Sequence, residues 1–145
     1  MDATRDPAPQ LRAAALFGRL IGAGLLDEEE CLPKLAAAAA RAAPGRDPAG
    51  LAMRLTWRLR EAAAEMRRAR ATAARALTAA IAPLLDALAP AEAILEAARA
   101  ANERAGTVLR GAEVEMLAAE AVRIWLRRNR PALLGTKNGG GRPGR

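Results

Sequence analysis

The chain has no histidine, no tyrosine, one cysteine, one phenylalanine and two tryptophans. A single thiol and no imidazole exclude an internal disulfide, a Cys/His zinc site and a histidine general base. Cys31 has no imidazole to activate it, so we expect a buried structural thiol. Four consecutive acids, 27–30, cannot converge on one ion from a helix. We therefore predict no enzyme, no cofactor and no metal site.

Long apolar runs are also missing. The longest, AAALFGRLIGAGLL, spans residues 13–26, contains Arg19, and is shorter than the roughly 20 residues that cross a bilayer. The first ten residues show no apolar run after a basic segment, as a signal peptide would. The simplest expectation is a cytoplasmic protein with no membrane contact.

The chain is instead rich in alanine, with 40 in 145 residues, against 28 Leu, Ile, Val and Phe together. Alanine is the best helix former, whereas strands favour the aromatic and β-branched residues that are scarce here. This composition predicts an all-α fold: a small bundle of about five helices with a thin core. An oligomer would help to complete such a core.

The bundle is built on one long central amphipathic helix, predicted over about residues 48–82. Asp47 can cap its first turn and Pro48 suits the first helical position. Its apolar side is a stripe about 120° wide, formed by Leu51, Leu55, Leu59, Met66, Leu77, Ile81 and Leu84. Pro83 either kinks or ends the helix.

Two helices precede the central one. The first is predicted over Pro9 to Ala23, with Gly24 as its stop. Its Gly18 and Gly22 indicate either a close crossing by another helix or simply weak helix propensity. The second opens at the acidic run, where Pro33 lies either in the first turn of a helix starting near Leu32 or after a separate acidic turn.

Two helices follow it. One runs from Pro90 to Gly106, and the last from Thr107 or Ala112 to Asn129, ended by Pro131. The eleven or so residues around AGTVLRG lack the short turn of a helix-turn-helix reader. We predict one helical domain over residues 9–134, with a disordered N-terminus at 1–8 and a disordered basic tail at 135–145.

Charge is strongly segregated along the chain. The formal net charge is +7, made up of −1 over residues 1–50, +5 over 51–82, −4 over 83–122 and +7 over 123–145. Clustered arginine most often neutralises phosphate. Two other interpretations stay open: arginine as the default surface cation, and arginines paired with the acidic helix after Pro90.

Aromatic residues add one candidate to the arginines. Trp57 lies among arginines on the helical wheel, where it either stacks on a base, as in single-strand binders, or is covered by the N-terminal hairpin; Trp125 is expected in the core. The candidate nucleic-acid-binding residues are Arg54, Trp57, Arg58, Arg67, Arg68, Arg75, Arg123, Arg127, Arg128, Arg130, Lys137, Arg142 and Arg145.

Residues 11–66 resemble the small helical domain that follows the catalytic module of plasmid and phage primases. The resemblance is carried by an Ala/Leu helix, the turn Gly24 to Leu26, the acidic helix start at 27–30 and a further helix after Pro44 or Pro48. It implies a helical domain that works beside nucleic acid in a mobile element. The catalytic module is absent, so polymerase activity is not implied. In the tail, residues 141–143 resemble the core of an AT-hook.

These patterns lead to two hypotheses. The first is a non-enzymatic accessory protein that binds DNA or RNA with little sequence readout. The second is an interaction or assembly protein whose helices complete their core in a homo-oligomer or on a helical protein partner.

Overall fold

The computed structural model describes the backbone of residues 6–42 and 47–135, and side chains within those ranges as far as Asn129. Over these ranges the chain forms five α-helices and no strand, which confirms the all-α prediction. The helices are α1 (Ala8–Gly22), α2 (Glu28–Ala42), α3 (Pro48–Asp86), α4 (Ala91–Arg104) and α5 (Gly111–Gly135). Ala8 and Gly135, at the inner edges of the predicted disordered ends, are helical.

The chain divides into two compact units inside α3, Met1–Ala71 and Thr72–Arg145. Each has its own apolar core. The first core is made by α1, α2 and the start of α3: Ala14, Ile21, Cys31, Leu35, Ala39, Leu55, Leu59 and Ala63. The second is made by the rest of α3, α4, α5 and the loop before α5: Ala73, Leu77, Ile81, Leu85, Ile94, Ala98, Ala101, Leu109, Val114 and Ala118.

The predicted start of the long helix is confirmed. The Gly50 N–H donates to Asp47 Oδ1 at 2.9 Å, so the carboxylate caps a free donor of the first turn. The end of α1 is also as predicted, because Gly24 has φ +79° and the Leu25 N–H donates to the Leu20 carbonyl at 2.8 Å. This is the Schellman geometry that glycine favours.

Three prolines lie inside helices of the described chain. α2 already begins at Glu28, so Pro33 lies inside it, and both a start near Leu32 and a separate acidic turn were wrong. Pro83 does not end α3, which continues to Asp86. Pro131 does not end α5, which continues to Gly135. A proline removes one backbone hydrogen bond, and in α3 the continuation brings Leu85 into the second core.

The connection between α4 and α5 is fixed by one buried polar side chain. Asn102 is the buried polar residue of the described core, and its amide donates to the Leu109 carbonyl at 2.9 Å while accepting from the Leu109 N–H at 3.1 Å. Thr107 has φ +55° and precedes α5 by four residues, so of the two predicted starts of this helix the one at Thr107 was wrong, and the helix begins one residue before Ala112. Asn102 thereby pairs the backbone N–H and carbonyl of the buried Leu109, as buried polar groups require.

The two glycines of α1 mark a close crossing with α3. A Cβ placed on Gly18 would lie 2.8 Å from the Ala62 Cβ and nearer still to the Leu59 carbonyl oxygen. On Gly22 it would lie 2.6 Å from the Ala63 carbonyl oxygen and 2.7 Å from the Met66 Cβ. Of the two interpretations of this pair, the close crossing is therefore the one found.

We expect Gly18→Ala to lower the free energy of unfolding of the first unit by about 1–3 kcal/mol, because overpacking against backbone outweighs the gain in helix propensity. Urea denaturation followed by circular dichroism measures this. Gly111→Ala is the matched control, since a Cβ at Gly111 meets nothing within 4 Å; it should be neutral or slightly stabilising. Equal effects of the two substitutions would contradict the close crossing.

Candidate functional site

The candidate binding residues do not form one group. Arg54, Trp57, Arg58, Arg67 and Arg68 belong to the first unit, whereas Arg75, Arg123, Arg127 and Arg128 belong to the second. Arg130 lies in α5 beyond the described side chains, and Lys137, Arg142, Arg145 and the AT-hook-like segment lie outside the described residues. Each unit therefore has to be judged on its own surface.

Total charge is a poor guide to that surface. Over residues 6–42 and 47–129, 17 lysines and arginines stand against 15 aspartates and glutamates. Only two of the seven net positive charges are therefore carried by side chains that the structure describes. A binding surface must be found from local grouping and from which guanidinium groups already have a carboxylate partner.

Several predicted arginines are engaged within the protein. Arg58 Nη1 lies 3.0 Å from Glu61 Oε1 and 3.8 Å from Glu65 Oε1. Arg75 donates to Thr72 Oγ1 at 3.2 Å.

In α5, Arg123 Nη2 lies 2.6 Å and Arg127 Nη2 3.9 Å from the carboxylate of Glu120. The hydrogen bond and charge of Arg123, with a smaller contribution from Arg127, hold the pKa of Glu120 below its ordinary value. These two arginines thus share one acid, while Arg128 makes no ion pair among the described side chains.

Trp57 lies in an open groove of the first unit. The indole is 72% exposed and Met53, one turn earlier, is 62% exposed, so the interpretation that the N-terminal hairpin covers Trp57 was wrong. The groove has a volume of about 930 Å³, within the usual range for ligand sites. It is lined by Leu11, Met53, Arg54, Thr56, Trp57, Arg58, Arg60 and Glu61.

A second groove adjoins the first. Its lining consists of Leu11, Arg12, Ala15, Arg19 and Arg58. Leu11 and Arg58 line both grooves, so the two are neighbours along α1 and α3, and we call them together the α1/α3 groove. Arg12 and Arg19 are exposed, and residues seven apart lie on the same side of a helix.

The lining of the α1/α3 groove holds five arginines and one acid, Glu61. The acid is paired with Arg58, and Arg60 Nη2 lies 2.8 Å from Glu28 Oε2 of α2. Arg12, Arg19 and Arg54 make no ion pair with any described side chain. These three guanidinium groups are available to an external anion without breaking an internal contact.

Three contacts hold this groove in shape. The glycine crossing sets the distance between α1 and α3, and Asp47 fixes the first turn of α3. Arg60 donates from both Nε and Nη2 to Glu28 Oε2, at 3.1 and 2.8 Å, which ties the start of α2 to α3. Arg60 is therefore mainly a positioning residue of the groove.

Arg12 and Arg19 are the functional candidates that sequence reasoning missed. Neither is among the arginines predicted to bind nucleic acid. Their seven-residue spacing was a readable signal, but only the crossing of α1 over α3 shows that they lie beside Arg58. Conversely Arg67 and Arg68, which were predicted, are exposed but do not line the groove.

The second unit presents a smaller basic surface at the end of α5. Ile124 is 36% and Leu126 is 45% exposed beside Arg123, Arg127 and Arg128. Trp125 is half-buried against the second core, and its indole N–H donates to Asp86 Oδ1 at 2.8 Å. Trp125 therefore holds α5 to the end of α3 and is not a binding residue.

Other site types find no support in the described ranges. Within residues 6–42 and 47–135, no three acidic or cysteine side chains are grouped so as to hold a metal ion. Nor does that part of the chain contain a helix long and apolar enough to cross a membrane. Cys31 is buried, and burial, with the charge of Glu30, raises the pKa of its thiol, as expected for a structural cysteine.

Comparison of the chain with protein-family models, with curated proteins and with solved structures found no match. The resemblance of residues 11–66 to the primase helical domain therefore stays a prediction.

We expect the two tryptophans to differ in fluorescence. In Trp125→Phe, which leaves Trp57, emission should be red-shifted, and the ratio of the iodide to the caesium quenching constant should exceed that of free N-acetyltryptophanamide, because arginines lie beside the indole. In Trp57→Phe, which leaves Trp125, both ions should quench weakly. Stern–Volmer titrations measure this; a ratio in Trp125→Phe equal to that of the free neutral indole would show that the groove is not electropositive.

Proposed function

We propose that the protein binds nucleic acid through the α1/α3 groove, with little reading of base sequence and without catalysis. The observation that carries the proposal is the lining itself: five arginines and one paired acid around an exposed indole. Clustered arginine in a concave surface raises the local concentration of a polyanion. Phosphate is the anion that a planar guanidinium matches best after carboxylate.

The unpaired arginines support phosphate binding on energetic grounds. Arg12, Arg19 and Arg54 lose only their hydration when a phosphate arrives, because they have no described carboxylate partner to give up. Arg58 would have to exchange Glu61 and Glu65 for the ligand. The first three should therefore supply most of the affinity, mainly by release of counterions from the nucleic acid.

Contacts outside the groove would add to this binding. Arg67 and Arg68 on α3 and Arg128 on α5 are exposed and without a described ion pair. Contacts of this kind hold the backbone and carry no sequence information. The resemblance to the primase domain favours an accessory role in the replication of a mobile element, in the cytoplasm.

We expect the triple variant Arg12→Ala, Arg19→Ala, Arg54→Ala to bind a labelled duplex more weakly and with less salt dependence. If about six phosphates are neutralised, the log–log slope of affinity against salt is near −5 for the parent protein, and loss of three contacts should bring it to roughly −2.5. Fluorescence anisotropy at four or more salt concentrations measures both quantities.

The control removes the same charge elsewhere. Lys34, Arg41 and Arg104 are exposed and have no described ion pair, so their triple alanine variant lowers the net charge equally without touching the groove. It should keep a slope near that of the parent protein. An equal loss in both variants would mean that net charge alone drives binding, and the groove would lose its assigned role.

A second candidate function is assembly with another copy of the chain. It is favoured by apolar side chains left in water, namely Met53 and Trp57 in the first unit and Leu88 and Met116 in the second, all more than 60% exposed. Met53 and Trp57 adjoin each other in one groove, and a continuous exposed apolar patch marks an interaction surface, whereas scattered side chains do not. Alanine-rich cores with few large apolar residues also gain from oligomerisation.

Thermal stability at several protein concentrations separates the two candidates. If the protein is a stable oligomer, the Tm should rise with protein concentration, because association stabilises the folded state by mass action. For a monomeric nucleic-acid binder we expect the Tm to stay constant when the protein concentration is raised about 100-fold. Sedimentation velocity on the same samples gives the mass directly.

A further inference from the structure

We infer that Trp57 makes the α1/α3 groove selective for single-stranded nucleic acid, by stacking on an unpaired base. The inference rests on the proposed function and specifies the class of its ligand. Its starting point is Trp57, which is 72% exposed, in a groove that is also lined by three arginines, Arg54, Arg58 and Arg60. An exposed aromatic face beside a basic track is the arrangement by which single strands are held.

The surroundings of the indole suit a nucleotide. Arg54 lies one turn before Trp57 on α3 and has no described carboxylate partner. Met53, also in the lining, adds apolar surface that a base can cover. Towards α1 the groove continues past Leu11 and Arg58 to Arg12 and Arg19. A base on Trp57 with its neighbouring phosphates on these arginines would therefore use the whole groove.

Duplex nucleic acid could use only part of this site. In a double helix the base faces are stacked on each other, so an indole reaches them only if a base leaves the stack, which costs energy. Phosphate contacts remain possible for both forms. The arginines should therefore bind duplex and single strand alike, while the contribution of Trp57 should appear with single strands alone.

Charge argues against a second copy of the chain in the groove. Self-association through this face would bring the arginines of one copy towards those of another, and Glu61, the acid of the lining, is already paired with Arg58. Like charges brought together at an interface are unfavourable. A single-stranded nucleic acid offers phosphates to the arginines and base faces to the exposed indole.

The test compares Trp57→Ala, Trp57→Leu and Trp57→Phe with the parent protein, on a labelled oligo-dT of about 15 nucleotides and on a duplex with the same number of phosphates. We expect Trp57→Ala to weaken binding to oligo-dT by roughly 5- to 100-fold and to leave duplex binding within about twofold. Trp57→Phe should keep most of the affinity and Trp57→Leu should not, since a planar face is required. The salt slope should stay unchanged, because no cation is lost.

Met116→Ala is the matched control, because Met116 is an equally exposed apolar side chain in the second unit; binding should be unchanged. In Trp125→Phe, oligo-dT should quench the fluorescence of Trp57 while duplex should not. Since Trp57 makes no contribution to either core, its Ala, Leu and Phe variants should all keep the helical circular-dichroism spectrum and the Tm of the parent protein.

The outcomes separate this inference from the proposed function. Failure of the parent protein to bind either nucleic acid at low salt overturns the proposed function. Binding of both, with Trp57→Ala weakening both equally or neither, overturns the single-strand inference and leaves the proposed function standing. If Trp57→Ala changes the sedimentation of the free protein and leaves nucleic-acid binding unchanged, Trp57 contacts a second copy of the chain. This outcome also overturns the single-strand inference.

Discussion

The close approach of α1 to α3 is the constraint on which the first unit and its groove depend. Gly18 and Gly22 present no side chain to Ala62 and Ala63, so the two backbones come into contact. Large apolar residues are few in this chain, and close contacts between small residues replace part of the stabilisation that they would supply, through dispersion. The same crossing brings the first turns of α1 beside Arg58 and so creates the α1/α3 groove.

The arginines of this protein fall into two groups, and only their contacts distinguish them. Arg60 is bonded to Glu28 and joins two helices, whereas Arg123 is held by Glu120 on its own helix. Exposed ion pairs of this kind contribute little stability, but they remove cations from the set available to a ligand. Arg12, Arg19 and Arg54 differ from these because they make no ion pair with a described acid. Composition alone, with its net +7, could not separate the two groups.

Local patterns predicted the helices well and their ends less well. The cap at Asp47 and the stop at Gly24 follow from backbone chemistry that a few neighbouring residues determine. The prolines failed as signals because tertiary packing outweighs one lost hydrogen bond: past Pro83, Leu85 is buried in the second core. The exposure of Trp57 and the position of Arg12 and Arg19 depend on which face of α3 is covered by α1. Which face of α3 is covered depends on how the two helices pack together, and this cannot be read from the sequence of either helix alone.

Trp57 lies on a side of α3 that the first core does not use. Leu55 and Leu59, two positions to either side of it, are fully buried, and a shift of two residues turns a side chain by about 200° around a helix. The indole therefore cannot join the core that its neighbours build. With a charged or small residue at this position the chain would fold as well, and that residue would be better hydrated than an indole. Trp57 adds nothing to the core and shares its groove with Arg54, which makes no ion pair with a described side chain; the nucleic-acid ligand that we propose would use both side chains.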